Sequence, residues 1–179
     1  MRRTMITMSR RAWLAGLVIV LAASQAATIS AAAPAHAAAT ARVKVFFPRG
    51  DLVDCSRVHS RYRRVRAPGV LRGALTELLR GPTAAERLQG YDGWFSRRTA
   101  GRLNSVRLSG GVAHVDFRDF RKIIPNASTS CGSALLLAQL DRTALQFPTV
   151  RRAVYSFDGS VRRFYEWLQL SPPRVASGP

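Results

Sequence analysis

Cys131 and His114 form one pair of side chains in this sequence that could support nucleophilic catalysis. A cysteine attacks as its thiolate and needs a nearby base, which a histidine can supply. Cys131 lies at the predicted start of a helix, where the helix dipole favours a thiolate. His114 and Asp116 alternate along a predicted strand and should face the same side of a sheet. One hypothesis is therefore a cysteine hydrolase that uses Cys131 with His114.

Cys131 has a competing role, because the sequence contains one other cysteine, Cys55. In an exported protein, two cysteines are expected to form a disulfide. The bond would close a loop of 76 residues, since 131 minus 55 is 76. Chain entropy then gives roughly 4 kcal/mol of stabilisation. We predict a Cys55–Cys131 disulfide and keep the hydrolase as the alternative.

Paired carboxylates could supply a second kind of catalytic chemistry, general acid–base catalysis. Asp116 and Asp119 are three residues apart, and Asp51 and Asp54 have the same spacing. Among so many arginines, we expect these acids to form ion pairs rather than to catalyse. The sequence has no P-loop, no G-x-S-x-G elbow and no C-x-x-C or H-E-x-x-H pattern. We predict no catalytic residue, no metal site and no cofactor.

Arginine dominates the charged residues of the chain. There are 28 Lys and Arg against 10 Asp and Glu; without the four arginines of the first 11 residues, 24 basic residues remain, a formal charge of +14. Such a charge attracts polyanions such as wall polymers, acidic lipids, nucleic acid or acidic proteins. No aromatic RNA-binding motif is present, so we expect no specific nucleic-acid ligand. The residues predicted to bind anions, rather than only to be solvated, are Arg61, Arg63, Arg64, Arg151, Arg152, Arg162 and Arg163.

The first 37 residues have the order of a secretory signal peptide. Arginines precede an apolar run of 12 residues, Ala12–Ala23, and a tract of small residues follows that ends in the small-x-small triplet Ala-His-Ala at 35–37. A membrane-spanning helix needs about 20 residues, which favours cleavage over an uncleaved anchor. SRRAWL at 9–14 is similar to a twin-arginine signal, so the Sec and twin-arginine routes both stay open. We predict a protein exported to the cell envelope, with a flexible leader at 38–42 and no transmembrane segment after cleavage.

Hydrophobic periodicity predicts the elements that must position these groups. VKVFF at 43–47 is a strand pattern, and one or two further strands are expected within 52–67. Residues 68–82 have apolar residues at three- and four-residue spacing and end in Gly-Pro, which predicts a helix. Residues 91–102 show no clear period and predict a loop that carries two exposed or half-buried aromatics, Trp94 and Phe95.

Two hairpins and a second helix are predicted after residue 102. LNSVRLSGGVAHVDF at 103–117 alternates on both sides of a Gly-Gly pair that suits a tight turn. A helix should follow a cap at Thr129 or Ser130. VRRAVYSF at 150–157 and SVRRFYEWLQL at 160–170 are two strand patterns. They are joined by Asp-Gly, which makes Asp158 a turn residue rather than a catalytic acid.

These elements predict an α+β fold. One compact domain should span 43–170, with a mainly antiparallel sheet, hairpins and two helices packed on it. Residues 171–179 are predicted to be a disordered tail.

The order of four segments carries a family resemblance: LTELLRGP at 75–82, LNSVRLSGGVAHVDF at 103–117, AQLDRTALQFPTV at 138–150 and AVYSFDG at 153–159. In this order they resemble the GerMN domain of sporulation and spore-germination proteins, over about residues 43–168. The resemblance implies a small exported α/β module of the bacterial envelope with no established catalytic activity. The loop at 91–102 departs from the family pattern, so no ligand site there is carried over.

We therefore predict a non-catalytic envelope module that binds an anionic cell-wall polymer or an envelope protein through its arginines. Trp94 and Trp167 could stack on such a ligand. For Trp167 we favour packing in the core. A regulator that docks on a membrane partner fits the same features.

Overall fold

The computed structural model describes residues 39–50 and 54–173. The predicted signal peptide at 1–37 lies outside the described residues, and so do residues 174–179 of the predicted tail. Within the described part, no helix is long and apolar enough to cross a bilayer.

Two antiparallel strands begin the fold. β1 spans Thr40–Phe47 and pairs with β2, His59–Arg66, along its whole length. β1 buries Val43, Val45 and Phe47, because side chains two residues apart face the same side of a strand. The predicted strand is confirmed but starts three residues early. The flexible leader predicted at 38–42 is therefore wrong for its last three residues, which belong to β1. Of the one or two strands expected within 52–67, the described residues contain one, β2.

Two helices follow β2. α1 spans Val70–Leu79 and α2 spans Ala84–Leu88. The predicted 68–82 helix is confirmed as α1, which buries the apolar stripe formed by Ala74, Leu75, Leu78 and Leu79. α2 begins with a reciprocal cap, in which the Thr83 hydroxyl accepts from the Glu86 N–H and the Glu86 carboxylate accepts from the Thr83 N–H.

The predicted central hairpin and the second long helix are both present. β3, Leu103–Ser109, and β4, Val112–Phe117, pair antiparallel around Gly110 and Gly111, whose φ angles of 54° and 78° are positive. α3 spans Ser130–Ala144. Of the two expected caps, Thr129 is the one used, because its hydroxyl accepts from the Gly132 N–H.

The last predicted hairpin is half correct. β5 spans Arg152–Phe157, but the segment predicted as its partner strand is a helix, α4, over Val161–Trp167. β5 pairs in parallel with β4 instead. Asp158 and Gly159 do form the expected turn, with φ angles of 45° and 81°. The chain then enters a helix because the Ser160 hydroxyl caps it by accepting from the Arg163 N–H.

The α+β class is confirmed. The described residues belong to one unit, Ala37–Pro179, with a two-stranded sheet β1-β2, a three-stranded sheet β3-β4-β5 and four helices where two were expected. Two of the three strand pairings are antiparallel. Aromatic rings fill the space between the second sheet and α4; they belong to Phe117, Phe120, Tyr155, Phe157, Phe164 and Trp167.

Candidate functional site

The two cysteines are bonded to each other. Cys55 and Cys131 form a disulfide that joins the segment before β2 to the first turn of α3. No cysteine among the described residues is therefore free. The predicted disulfide is confirmed. The alternative hydrolase built on Cys131 and His114 is wrong, because the sulfur that would attack is already bonded. His114 lies beside Asp116 on the half-exposed face of β4, as predicted.

The first predicted acid pair is held by structural bonds. Asp116 accepts hydrogen bonds from the Ser156 hydroxyl at 2.6 Å, the Asn104 amide at 2.7 Å and the Gly159 N–H at 2.8 Å. Burial alone would raise the pKa of Asp116, but these donors lower it. The guanidinium of Arg121 donates hydrogen bonds to both oxygens of Asp119 and lowers the pKa of that carboxyl too. Both carboxylates therefore stay ionised at neutral pH.

The second predicted acid pair is only partly described. Asp54 accepts from the Ser56 hydroxyl at 2.7 Å and from the Ser56 N–H at 2.9 Å. The hydroxyl bond is the larger cause of a lowered pKa at Asp54. Asp51 lies outside the described residues. No group of three or more His, Cys, Asp or Glu within the described ranges could hold a metal ion.

Two of the predicted anion-binding arginines are ion-paired with Glu86 on α2. Arg63 donates to both oxygens of Glu86 at 2.6 and 2.7 Å, and Arg61 donates to one oxygen at 3.1 Å. Arg63 also faces Glu77 at 3.9 Å. Only 13% of the Arg63 side chain is exposed. These two arginines therefore fix α2 to β2 and leave few donors for a ligand.

The other predicted arginines are exposed and lie on separate elements. Arg162 pairs with Glu166 at 3.3 Å, and Arg163 faces Asp158 at 3.9 Å. β2 packs on β1 and α1, whereas α4 packs on β5, so the predicted set is distributed over different parts of the domain. The remaining three residues of the set are Arg64 on β2, Arg151, which donates to the Gly110 carbonyl, and Arg152 at the start of β5.

A different set of arginines does come together. An open groove of about 830 Å³ lies between α1, α2 and the turn at 96–100, and five of its twelve lining residues are arginine. Its lining contains one acidic residue, Glu77. We call it the arginine groove. Its arginines are Arg63, Arg80, Arg87, Arg97 and Arg98.

Glu86 supports one wall of the arginine groove from behind. Its side chain accepts four hydrogen bonds, three from Arg61 and Arg63 and one from the Thr83 N–H. Glu86 is 5% exposed. Burial alone would raise the pKa of Glu86, but the bonds from Arg63, Thr83 and Arg61 prevail and lower it to about 2. The wall is therefore held by a carboxylate that stays ionised at neutral pH.

The turn that carries Arg97 and Arg98 is fixed to the end of α1. The hydroxyl of Thr99, which is fully buried, donates to the Leu79 carbonyl at 2.7 Å and accepts from the Ser96 N–H at 2.8 Å. Gly81 lies against the same turn: a Cβ at this position would lie 2.2 Å from the Phe95 carbonyl oxygen. The backbone at 96–100 is thus fixed, while the two arginine side chains that it carries are exposed.

Arg97 and Arg98 differ from the other groove arginines in lacking a side-chain partner. Arg80 pairs with Glu77, and Arg87 faces Asp92 at 3.6 Å. Neither the Arg97 nor the Arg98 side chain has a hydrogen bond or ion pair within the described part of the chain. Their charges are available to a ligand.

Sequence reasoning missed four of the five groove arginines. It considered cations along strands and in the last hairpin, and treated 91–102 as an irregular loop. The expectation of a half-buried Trp94 is correct, whereas Phe95 is fully buried and packs in the core. The sequence carries no signal specific to the site, because Arg97-Arg98 resembles the other adjacent arginine pairs of the chain, such as Arg151-Arg152.

The two tryptophans have different surroundings. Trp167 contacts the rings of Phe120 and Phe157 with centroids 5.8 and 5.3 Å apart, so the packing role favoured for it is confirmed. Trp94 is half-buried and donates its indole N–H to the Gly132 carbonyl at 3.1 Å. It lines a separate, smaller pocket of about 190 Å³.

Comparison with known proteins places most of the chain in one family. The family model described as sporulation and spore germination, Germane, matches residues 44–162. No curated protein and no solved structure matches the chain. The matched range includes the second half of β1, the other four strands, the disulfide and the arginine groove.

Proposed function

The chain belongs to the Germane (GerMN) family of sporulation and spore-germination domains, and from this membership we propose that it acts as a non-catalytic module exported to the bacterial cell envelope. There its basic surface binds an anionic cell-wall polymer. An envelope protein with an acidic surface is the second partner class that the same charges could hold. The family implies no known catalytic activity.

The observation that carries this proposal is the arginine groove. Five guanidinium groups line one concavity with a single carboxylate, and two of them have no side-chain partner within the described ranges. Positive charge gathered in a concave surface attracts anions more strongly than the same charge spread over a convex one. Unpaired cations on a fixed backbone are therefore the best supported contact points.

The Cys55–Cys131 disulfide supports the proposed location. Disulfides persist in oxidising compartments outside the cytoplasm and are rare inside it. The signal-peptide pattern of the first 37 residues agrees with this inference.

The state of the candidate catalytic groups supports a binding role. The Cys131 sulfur is bonded, and the Asp116 and Asp119 carboxylates are occupied by structural donors. A general acid needs a pKa near the working pH, but the pKa values of both aspartates are lowered.

Co-sedimentation with purified cell walls tests the proposal. The disulfide-bonded protein should be retained at low ionic strength and released as salt rises above about 0.3 M, because exposed charges are screened beyond a few ångströms there. Walls from which the anionic polymers have been chemically removed provide the matched control and should retain much less protein. Absent retention, or retention unaffected by salt, would contradict the proposal.

A further inference from the structure

We propose that the arginine groove is the site for an extended phosphodiester polymer, such as a poly(glycerol phosphate) chain, and that Arg97 and Arg98 are its anchoring cations. The inference rests on the proposed function and deepens it: it assigns the surface and the chemistry of the ligand.

Part of the positive charge in the arginine groove is not neutralised by acidic side chains of the fold. Glu77, the one acidic lining residue, already contacts Arg63 and Arg80. Arg97 and Arg98 are exposed without a side-chain partner in the described part of the molecule. Thr99 fixes the turn that carries them. A ligand anion therefore meets cations that are carried by a fixed backbone, and it need not break an existing ion pair.

The lining of the arginine groove offers no large apolar side chain to anchor a protein partner. The non-polar lining residues are Gly81, Pro82, Ala84 and Ala100, and within the described residues no aromatic or large aliphatic side chain lines the groove. Protein interfaces concentrate their binding energy in a few residues, in which arginine is accompanied by buried aromatic anchors such as Trp and Tyr. A groove of arginine and small residues favours a hydrophilic chain that is bound through its charges.

The arginines of the groove are several and are carried by different elements of the fold. They come from β2, the end of α1, α2 and the turn at 96–100. Although Glu86 occupies Arg63, the other four guanidinium groups still offer more donors than one phosphate or one carboxylate can accept. The groove is an open trough rather than an enclosed cavity. Successive anionic groups of one polymer can therefore contact different arginines.

Every basic residue that lines the groove is arginine, since both lysines of the mature chain, Lys44 and Lys122, lie outside the lining. The planar guanidinium fork donates two parallel hydrogen bonds to an oxyanion, and each phosphodiester offers one pair of non-bridging oxygens that matches this fork. A phosphodiester also keeps its charge in acid, whereas a carboxylate is protonated near pH 4. A phosphodiester chain therefore keeps every partner for these arginines over a wider pH range than a polycarboxylate does.

The test measures binding of fluorescent poly(glycerol phosphate) to the exported, disulfide-bonded chain. The double variant R97A/R98A should bind at least about ten-fold more weakly. The control R66A/R142A removes the same charge from exposed residues of β2 and α3 that do not line the groove, and it should change affinity by less than about three-fold. R97K/R98K retains charge without the fork and should lie between the two. Thermal unfolding of each variant checks that the fold is intact.

The outcomes separate the inference from the proposed function. If the wild type binds walls and R97A/R98A binds as tightly as R66A/R142A, the groove assignment is overturned while envelope binding stands. If poly-glutamate of equal charge binds as tightly as poly(glycerol phosphate), the phosphodiester assignment is overturned. If crosslinking through groove residues captures an acidic protein and no polymer binds, the ligand class is wrong. If the wild type binds neither walls nor polymer, the proposed function itself fails.

Discussion

At the scale of single residues, Glu86 links α2 to β2. It accepts from Arg61 and Arg63 on β2 and from the Thr83 N–H at the start of α2. Its folded pKa of about 2 lies below its ordinary value of 4.5. Its contribution to stability is therefore complete above about pH 4.5 and is lost as the pH falls towards 2.

We expect Glu86→Gln to lower the free energy of unfolding at pH 7 by about 2–3 kcal/mol, because a shift of one pKa unit corresponds to about 1.4 kcal/mol. At pH 2 the difference from wild type should nearly vanish. Urea denaturation at both pH values measures it. Glu166→Gln removes the exposed partner of Arg162 and serves as control, with an expected cost below about 1 kcal/mol. Equal stability of wild type and E86Q at pH 7 would contradict this role.

Gly81 is a second single residue whose contribution to stability a substitution can test. It has a φ of +75°, and a Cβ would lie 2.2 Å from the Phe95 carbonyl oxygen. Gly81→Ala should cost about 2–4 kcal/mol, since left-handed strain and a backbone clash add. Gly110→Ala is the matched control: its φ is +54° but nothing lies within 4 Å, so about 1–2 kcal/mol of strain is expected. Equal losses in urea denaturation would show that the close approach to Phe95 is unimportant.

At the scale of elements, the sequence predicts an element well wherever its pattern and its propensity agree. The alternation of Val43, Val45 and Phe47 gives a strand, and the stripe of α1 gives a helix. α4 was missed because its β-branched and aromatic residues resemble a strand. Its spacing is helical: Phe164, Tyr165 and Leu168 are buried three and four residues apart. The Ser160 hydroxyl caps this helix by accepting from the Arg163 N–H and so stabilises its first turn.

The disulfide is the cross-link between elements that reduction can remove. We expect the double variant C55S/C131S to lose about 3–4 kcal/mol of stability, because the unfolded chain regains the freedom of a 76-residue loop. Urea denaturation without reductant measures the loss. Wild type in reductant is the control and should behave like the variant. A variant as stable as oxidised wild type would mean that the bond adds no net stability.

At the scale of the whole molecule, net charge is the dominant property. Beyond the first 37 residues the formal charge is +14, and repulsion among like charges opposes the compact state. We expect the melting temperature to rise by several degrees between about 0.02 and 0.3 M NaCl, because salt screens exposed charges while the buried Glu86 pairs are screened less. Calorimetry measures the change. A fall in melting temperature would show that surface ion pairs outweigh repulsion.

The family, the fold class and the disulfide could be predicted from the sequence, but the position of the candidate site could not. Composition shows that the chain is basic without showing which arginines meet. The arginine groove depends on contacts between distant residues, such as the Thr99 hydroxyl with the Leu79 carbonyl. Arg61 and Arg63 were predicted to bind ligand, but Glu86 on another element occupies them.

The composition of β2 has a consequence for how copies of this protein behave when crowded. β2 has a strand neighbour on one side in its two-stranded sheet, and an edge of this kind is where separate molecules commonly join into aggregates. Four of its eight residues are arginine: Arg61, Arg63, Arg64 and Arg66. Two such edges that approach each other bring like charges together. We expect this repulsion to keep the protein dispersed at high concentration, a protection that would weaken wherever a polyanion neutralises the strand.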